Sequence, residues 1–153
     1  MNARIVSLFA VLSLFLLSSA ALAREKAGAP QPRPQKGKLV FVATTGLEDV
    51  LTLTSSFRHA QGALESGHLE SVVWLSYGRA VVALDPTVEA VPSSVRKAAA
   101  EAKAAGVKLV ACATALKKFG IAPERLQPDA EVVANGAHEL ARLVAEGYAV
   151  IRY

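Results

Sequence analysis

One residue type stands alone in this chain of 153 residues: Cys112 is its single cysteine. A lone thiol excludes a disulfide scaffold and any cysteine-rich zinc site. It leaves the chemistry of one nucleophilic sulfur. Cys112 closes the apolar run Val107–Cys112 (VKLVAC) and precedes a short amphipathic stretch, Thr114–Phe119. A cysteine at the end of a strand and the start of a helix would face the N–H groups opening that helix, a setting that favours thiolate over thiol. Lys117 and Lys118, just beyond it, add positive potential. In parallel α/β sheets, ligands collect outside the carboxyl ends of the strands. The loops after two other apolar runs, Thr44-Thr45-Gly46 and Tyr77-Gly78, should open on the same edge and are candidate binding residues. Free cysteine is also among the most buried residue types, and composition and position alone favour an inert structural Cys112.

Other chemistries find no support in the residues. No Gly-x-Gly-x-x-Gly or phosphate-binding loop follows any strand, so no nucleotide cofactor is expected. His59, His68 and His138 stand at unrelated spacings without a carboxylate or thiol in ligand register, and no metal is expected. No Gly-x-Ser-x-Gly elbow is present. Trp74 lies mid-strand in an apolar run and reads as core.

The elements that must position Cys112 alternate strand and helix. Leu39–Ala43 is unbroken and rich in β-branched residues, as expected of a strand buried on both faces. Glu48 and Asp49 then suit the first turn of a helix carrying Leu47, Val50, Leu51, Phe57, Ala60 and Leu64, with Gly67 as its stop. A second strand is expected at Ser71–Tyr77, a short helix or strand at Arg79–Leu84, and a break at Asp85-Pro86. Val91, Val95, Ala98, Ala99 and Ala102 form the stripe of the next helix, with Ser93 or Ser94 as N-cap and Gly106 as stop. After Cys112 come the short helix, a turn at Pro123–Leu126, a short strand at Ala130–Val133, a helix closed by Gly147, and a final strand Tyr148–Tyr153. Helices between buried strands imply βαβ units and a mostly parallel sheet covered on both faces.

Ahead of this domain, Ile5–Leu17 is an apolar run following one base, Arg4, and ending near Ala21-Leu22-Ala23. That is the pattern of a secretory signal peptide, residues 1–23, cleaved before Arg24. At about 1.5 Å per residue the run spans too little to cross a bilayer. Export places the mature protein in the periplasm, or outside a cell with one membrane, with no membrane attachment after cleavage. Residues 24–37 carry Pro30, Pro32 and Pro34 and no large apolar residue, and read as a disordered proline-rich linker. The formal charge of +4 comes entirely from these two segments. Residues 38–153 hold twelve bases and twelve acids, so the folded domain has no net charge to seek nucleic acid.

The stretch from Val107 through Cys112, Leu116, Gly120 and Ile121 resembles the cysteine segment of DsrE/DsrF-like proteins. Val132-Val133, Gly136, Glu139–Leu143 and Glu146–Ala149 are similar to the ending of exported members. Thr44-Thr45-Gly46 fits the family's first loop more loosely. The resemblance spans residues 38–153. It implies a three-layer αβα domain with a mostly parallel sheet of about five strands, assembled as a trimer or hexamer. It also implies that the residue matching Cys112 carries a persulfide, taking sulfane sulfur from a donor and passing it to an acceptor protein or small sulfane-sulfur compound, with no cofactor. Sulfur-relay members are cytoplasmic, so an exported chain would serve other partners. Two functions follow for comparison: a sulfane-sulfur carrier using Cys112, and a non-catalytic oligomeric binding or assembly module in which Cys112 is structural. A peptide- or nucleic-acid-binding role ranks third. If residues 1–23 are an export signal, the intact mass of protein recovered from an exported fraction will correspond to a chain beginning at Arg24; an uncleaved chain there would refute it.

Overall fold

Runs of adjacent apolar residues have nowhere to turn a polar face, so they must become inner strands of a sheet covered on both sides. The computed structural model describes residues 36–127 and 129–153. The expected signal segment, and the proline-rich stretch up to residue 35, lie outside the described residues. Five strands form: β1 (Gly37–Ala43), β2 (Leu69–Ser76), β3 (Lys108–Cys112), β4 (Glu131–Val133) and β5 (Tyr148–Arg152). They make one sheet in the order β4-β3-β2-β1-β5, and every neighbouring pair is parallel. Four α-helices connect or cover them: α1 (Val50–Glu65), α2 (Ser93–Ala104), α3 (Ala113–Lys118) and α4 (Gly136–Ala145). Short 3-10 segments occupy Leu47–Asp49, Gly78–Leu84 and Pro123–Arg125. The architecture is a three-layer α/β fold.

The two sheet faces are covered unequally. One carries α1, α2, α3 and the Gly78–Leu84 segment over Phe41, Val72, Trp74 and Leu109. Trp74 and Phe57 stack there at 4.0 Å between ring centroids, and the buried indole N–H donates to Ser56 Oγ at 2.9 Å. That bond matters because an indole N–H without a partner in the core would lose its hydration for nothing. The opposite face holds Val40, Val42, Val73, Leu75 and Val110 under a single helix, α4, through Leu143 and Leu140. Right-handed crossovers account for this: β1, β2 and β3 are followed by strands on one side, whereas β4 is followed by β5 at the other edge, so its helix lies on the other face.

Two local features differ from what residue patterns suggest, and a third decides between two open alternatives. The first helix begins as a 3-10 turn, and Asp49 caps the α-helix proper by accepting from Thr52 N at 3.0 Å. Neither Ser93 nor Ser94 caps α2; both lie inside it and the N-cap is Pro92, without a side-chain cap bond. Arg79–Leu84 resolves as 3-10 helix, because Gly78 at φ +65° turns the chain sharply out of β2. Among the described residues, no helix is long and apolar enough to cross a membrane.

Asp85, fully buried, ties the far side of the large core together. Its Oδ1 accepts from Thr87 N at 2.9 Å and Thr87 Oγ1 at 2.6 Å. Its Oδ2 lies 2.6 Å from Arg125 Nη2 but receives no aligned N–H among the described residues, so the contact is an ion pair rather than a directed hydrogen bond. Arg125 Nε donates to Thr87 Oγ1 at 3.1 Å, closing a triangle. Removing one partner of a fully buried pair costs about 3–5 kcal/mol. Arg125 is 44% exposed, which lowers the expected loss for Arg125→Ala to about 2 kcal/mol in urea unfolding. Asp85→Asn in the same chain should recover part of it, and a loss that the second change deepens would show that the pair is not the cause.

Candidate functional site

An open parallel sheet has one place where neighbouring connections leave for opposite faces, and a crevice opens there at the carboxyl ends of the strands. Here that place is between β3 and β4. The chain leaves β3 into α3, packed with the large core, and leaves β4 toward α4 on the other face. The pairing register sets Val110 opposite Glu131, Ala111 opposite Val132 and Cys112 opposite Val133. Both strands therefore end together. Ala134-Asn135-Gly136 folds directly beside Cys112.

Cys112 is 5% exposed, and its Sγ accepts the backbone N–H of Gly136 at 3.2 Å. The donor thus comes from the helix 24 residues on, not from the helix that Cys112 itself opens. Cys112 stands at the N-cap position of α3 but makes no side-chain cap bond there. Cys112 packs with the large core, yet its sulfur meets the turn that opens α4. Gly136 is glycine for want of space. A Cβ at this position would lie 2.9 Å from Tyr77 Cδ1 and 3.1 Å from Tyr77 Cβ and Cγ. The Tyr77 ring therefore presses on the first residue of α4, and only a residue without a side chain lets its N–H reach the sulfur. Asn135 holds that helix start by accepting from Ala137 N at 2.8 Å and His138 N at 3.2 Å.

Around the sulfur is a recess of about 250 Å³ lined by Tyr77, Gly78, Cys112, Lys118, Asn135 and Gly136, with Thr114, Ala115 and Ala137 completing its wall. Tyr77 and Gly78, both expected from the sequence, are brought to Cys112. Lys118 lines the recess and Lys117 does not. One residue of helix is a turn of roughly 100°, enough to send adjacent side chains apart. Thr44, Thr45 and Gly46 lie on the same sheet edge but outside the recess. Two strands separate β1 from β4, and their polar groups are committed elsewhere. Thr44 N and Oγ1 donate to Tyr153 O at 2.9 and 3.1 Å, and Gly46 N donates to Glu48 Oε1 at 3.0 Å.

The electrostatics close to the site come from neutral dipoles and one cation. Beyond the recess, α4 carries Glu139 and Glu146 clasping Arg142. The Arg142 hydrogen bond holds the Glu139 carboxyl below the usual range. A depressed carboxylate adds stability above its unfolded value and loses it as pH falls through the folded value, so this clasp opens only on acidification. The hydrogen bond from Gly46 N likewise lowers Glu48, which is exposed and paired with Arg79 at 2.9 Å. Among the described residues no group of three or more His, Cys, Asp or Glu converges as a metal site would require.

Asn135, Gly136 and Ala137 follow β4, the strand end that the residue patterns did not single out, and Thr114 follows β3 beside Cys112. The signal was available: Ala134-Asn135-Gly136 also follows a strand and opens a helix. What the residues could not reveal was that β4 pairs beside β3.

The DsrE/DsrF-like family model matches residues 37–153. Among solved structures, the protein of unknown function MTH1491 from Methanobacterium thermoautotrophicum is 27% identical with a TM-score of 0.58, covering 76% of this chain and 99% of its own. The conserved protein of unknown function BT1422 from Bacteroides thetaiotaomicron is 18% identical with a TM-score of 0.60, covering 80% and 100%. The ychN protein from E. coli is 21% identical with a TM-score of 0.61, covering 76% and 99%. The last two show the fold alone. None of the curated proteins matches significantly.

Gly136→Ala should cost about 1–3 kcal/mol by overpacking against Tyr77. A double-mutant cycle with Tyr77→Ala tests the contact, and zero coupling would remove the steric account of Gly136. Asn135→Ala should cost about 1 kcal/mol as a lost N-cap.

Proposed function

The chain belongs to the DsrE/DsrF-like family, and from that premise we propose that it is a sulfane-sulfur carrier in which Cys112 holds the persulfide. The observation that carries this reading is the Gly136 N–H donated to Cys112 Sγ at the foot of a recess. An N–H aimed at sulfur stabilises negative charge on it, which is what an attacking thiolate and a bound persulfide anion both carry. In the first half-reaction the Cys112 thiolate attacks the sulfane sulfur of a donor. A new S–S bond forms, the donor's bond breaks, and the leaving group departs with the electron pair. In the second, an acceptor thiolate attacks the outer sulfur and Cys112 leaves as thiolate. Sulfur moves and no external oxidant or reductant is needed. A chain with one cysteine cannot resolve its persulfide into an internal disulfide, so the sulfur waits for its acceptor.

The proposal includes export to the periplasm, a protein or small-molecule donor and acceptor, and a homo-oligomer, trimer or hexamer. Exposed Val144, Val150 and Ile151, on α4 and β5, give an assembly apolar surface to cover. A second reading rests on the 5% exposure of Cys112: a structural thiol in a non-catalytic oligomeric module.

Intact mass after incubation with thiosulfate or polysulfide separates the two. The carrier gains the mass of one sulfur and Cys112→Ser does not; no cysteine-dependent gain leaves the structural reading. Light scattering on the same sample should return a multimer, and a monomer would remove the assembly from the proposal.

A further inference from the structure

Lys118 sets one positive charge on the wall of the recess beside Cys112, and no carboxylate lines it. Lys118 is exposed on its wall, and its ammonium has no ion pair or hydrogen bond among the described residues. Asn135, also on the wall, spends its Oδ1 on two backbone N–H groups. Thr114 Oγ1 donates to Ala134 O at 3.1 Å. Elsewhere on the surface many bases are answered by acids: Lys38 by Glu70, Arg79 by Glu48, Lys97 by Glu101 and Arg142 by two glutamates. Lys118 is one of several bases with no ion pair among the described residues; its place on the wall of the recess, in a domain with no net charge, is what sets it apart.

We propose that Lys118 is a specificity-determining residue, selecting a small anionic sulfane donor of the thiosulfate type over neutral sulfur compounds. The inference rests on the carrier reading of Cys112 and adds the substrate class. At about 250 Å³ the recess falls below the roughly 300–1,000 Å³ of pockets that engulf drug-sized ligands. An inorganic oxyanion of a few atoms suits it. In the step itself the Cys112 thiolate attacks the outer sulfur of thiosulfate. The persulfide Cys112–S–S⁻ forms while the donor's S–S bond breaks, and its electron pair leaves on sulfite. Total charge is the same before and after. Negative charge grows on the departing sulfite, where a cation is worth most, and Lys118 supplies the complement.

The test uses Lys118→Gln, Lys118→Arg and, as the control for charge without position, Lys117→Gln. Both positions are exposed, and circular dichroism checks that each variant folds. Three rates are read on each protein: cysteine-dependent sulfur gain from thiosulfate, alkylation by anionic iodoacetate, and alkylation by neutral iodoacetamide. The expected result for Lys118→Gln is a loss of about tenfold in the thiosulfate and iodoacetate rates with the iodoacetamide rate little changed. Lys118→Arg should stay near the unsubstituted rate, and so should Lys117→Gln. An equal fall with both alkylating agents, or an equal effect of Lys117→Gln, overturns the role of Lys118. Should the unsubstituted protein gain no sulfur from any donor while iodoacetate selection by Lys118 persists, the carrier reading is the part that has failed, and the thiosulfate assignment goes with it.

Discussion

The pairing of β4 beside β3 is the constraint on which the site depends. With Cys112 opposite Val133, the two strands end level, and the chain has only Ala134 and Asn135 in which to turn before α4 begins. Gly136 therefore lands on Cys112. Strand pairing admits no fractional register: a slip of one residue would exchange the faces of β4 and carry the start of α4 away from the sulfur. A three-residue edge strand contributes little stability of its own, yet it fixes the one polar contact the sulfur makes.

That contact also shows how packing and chemistry constrain each other. Tyr77 leaves β2 and crosses over the start of α4, with its ring against Gly136. A larger residue at 136 would push the ring or the helix away, and the N–H would lose its aim at sulfur. Asn135 supplies the complementary restraint by fixing the first turn from below. The site is thus held by one steric contact and one cap, each at a helix start where free backbone N–H groups are available. Burial of Cys112 to 5% exposure protects the thiol while leaving its approach through the recess.

The uneven covering of the sheet follows from the same topology. Three connections return on one face and build the large core around the Trp74–Phe57 stack. The single crossover from β4 to β5 leaves α4 alone on the other face, and Val144 and Val150 remain exposed there. The crevice and the thinly covered face have one origin, the reversal of direction after β4.

Much of this was legible in the residues. The five strand positions and the helices followed from periodicity, because burial on both faces demands unbroken apolar runs and amphipathic helices demand their three- to four-residue stripe. Trp74 as core and Cys112 at a strand end were visible for the same reason. The parallel character of the sheet follows from alternation of strand and helix. The capping of α2 was not legible, since Pro92 and two serines offer competing starts and only the packed backbone chooses. Neither was the source of the N–H that meets Cys112: local sequence offers α3, and the fold supplies α4. Nor could spacing distinguish Lys118 from Lys117, which are adjacent in the chain and separated only by the rotation of a helix against its neighbours. Local sequence determined the elements and the place of the single cysteine at a strand end, because propensity and periodicity act over a few residues. Tertiary structure alone decided which residues surround that cysteine, because strand order and register join segments that the chain keeps 24 residues apart.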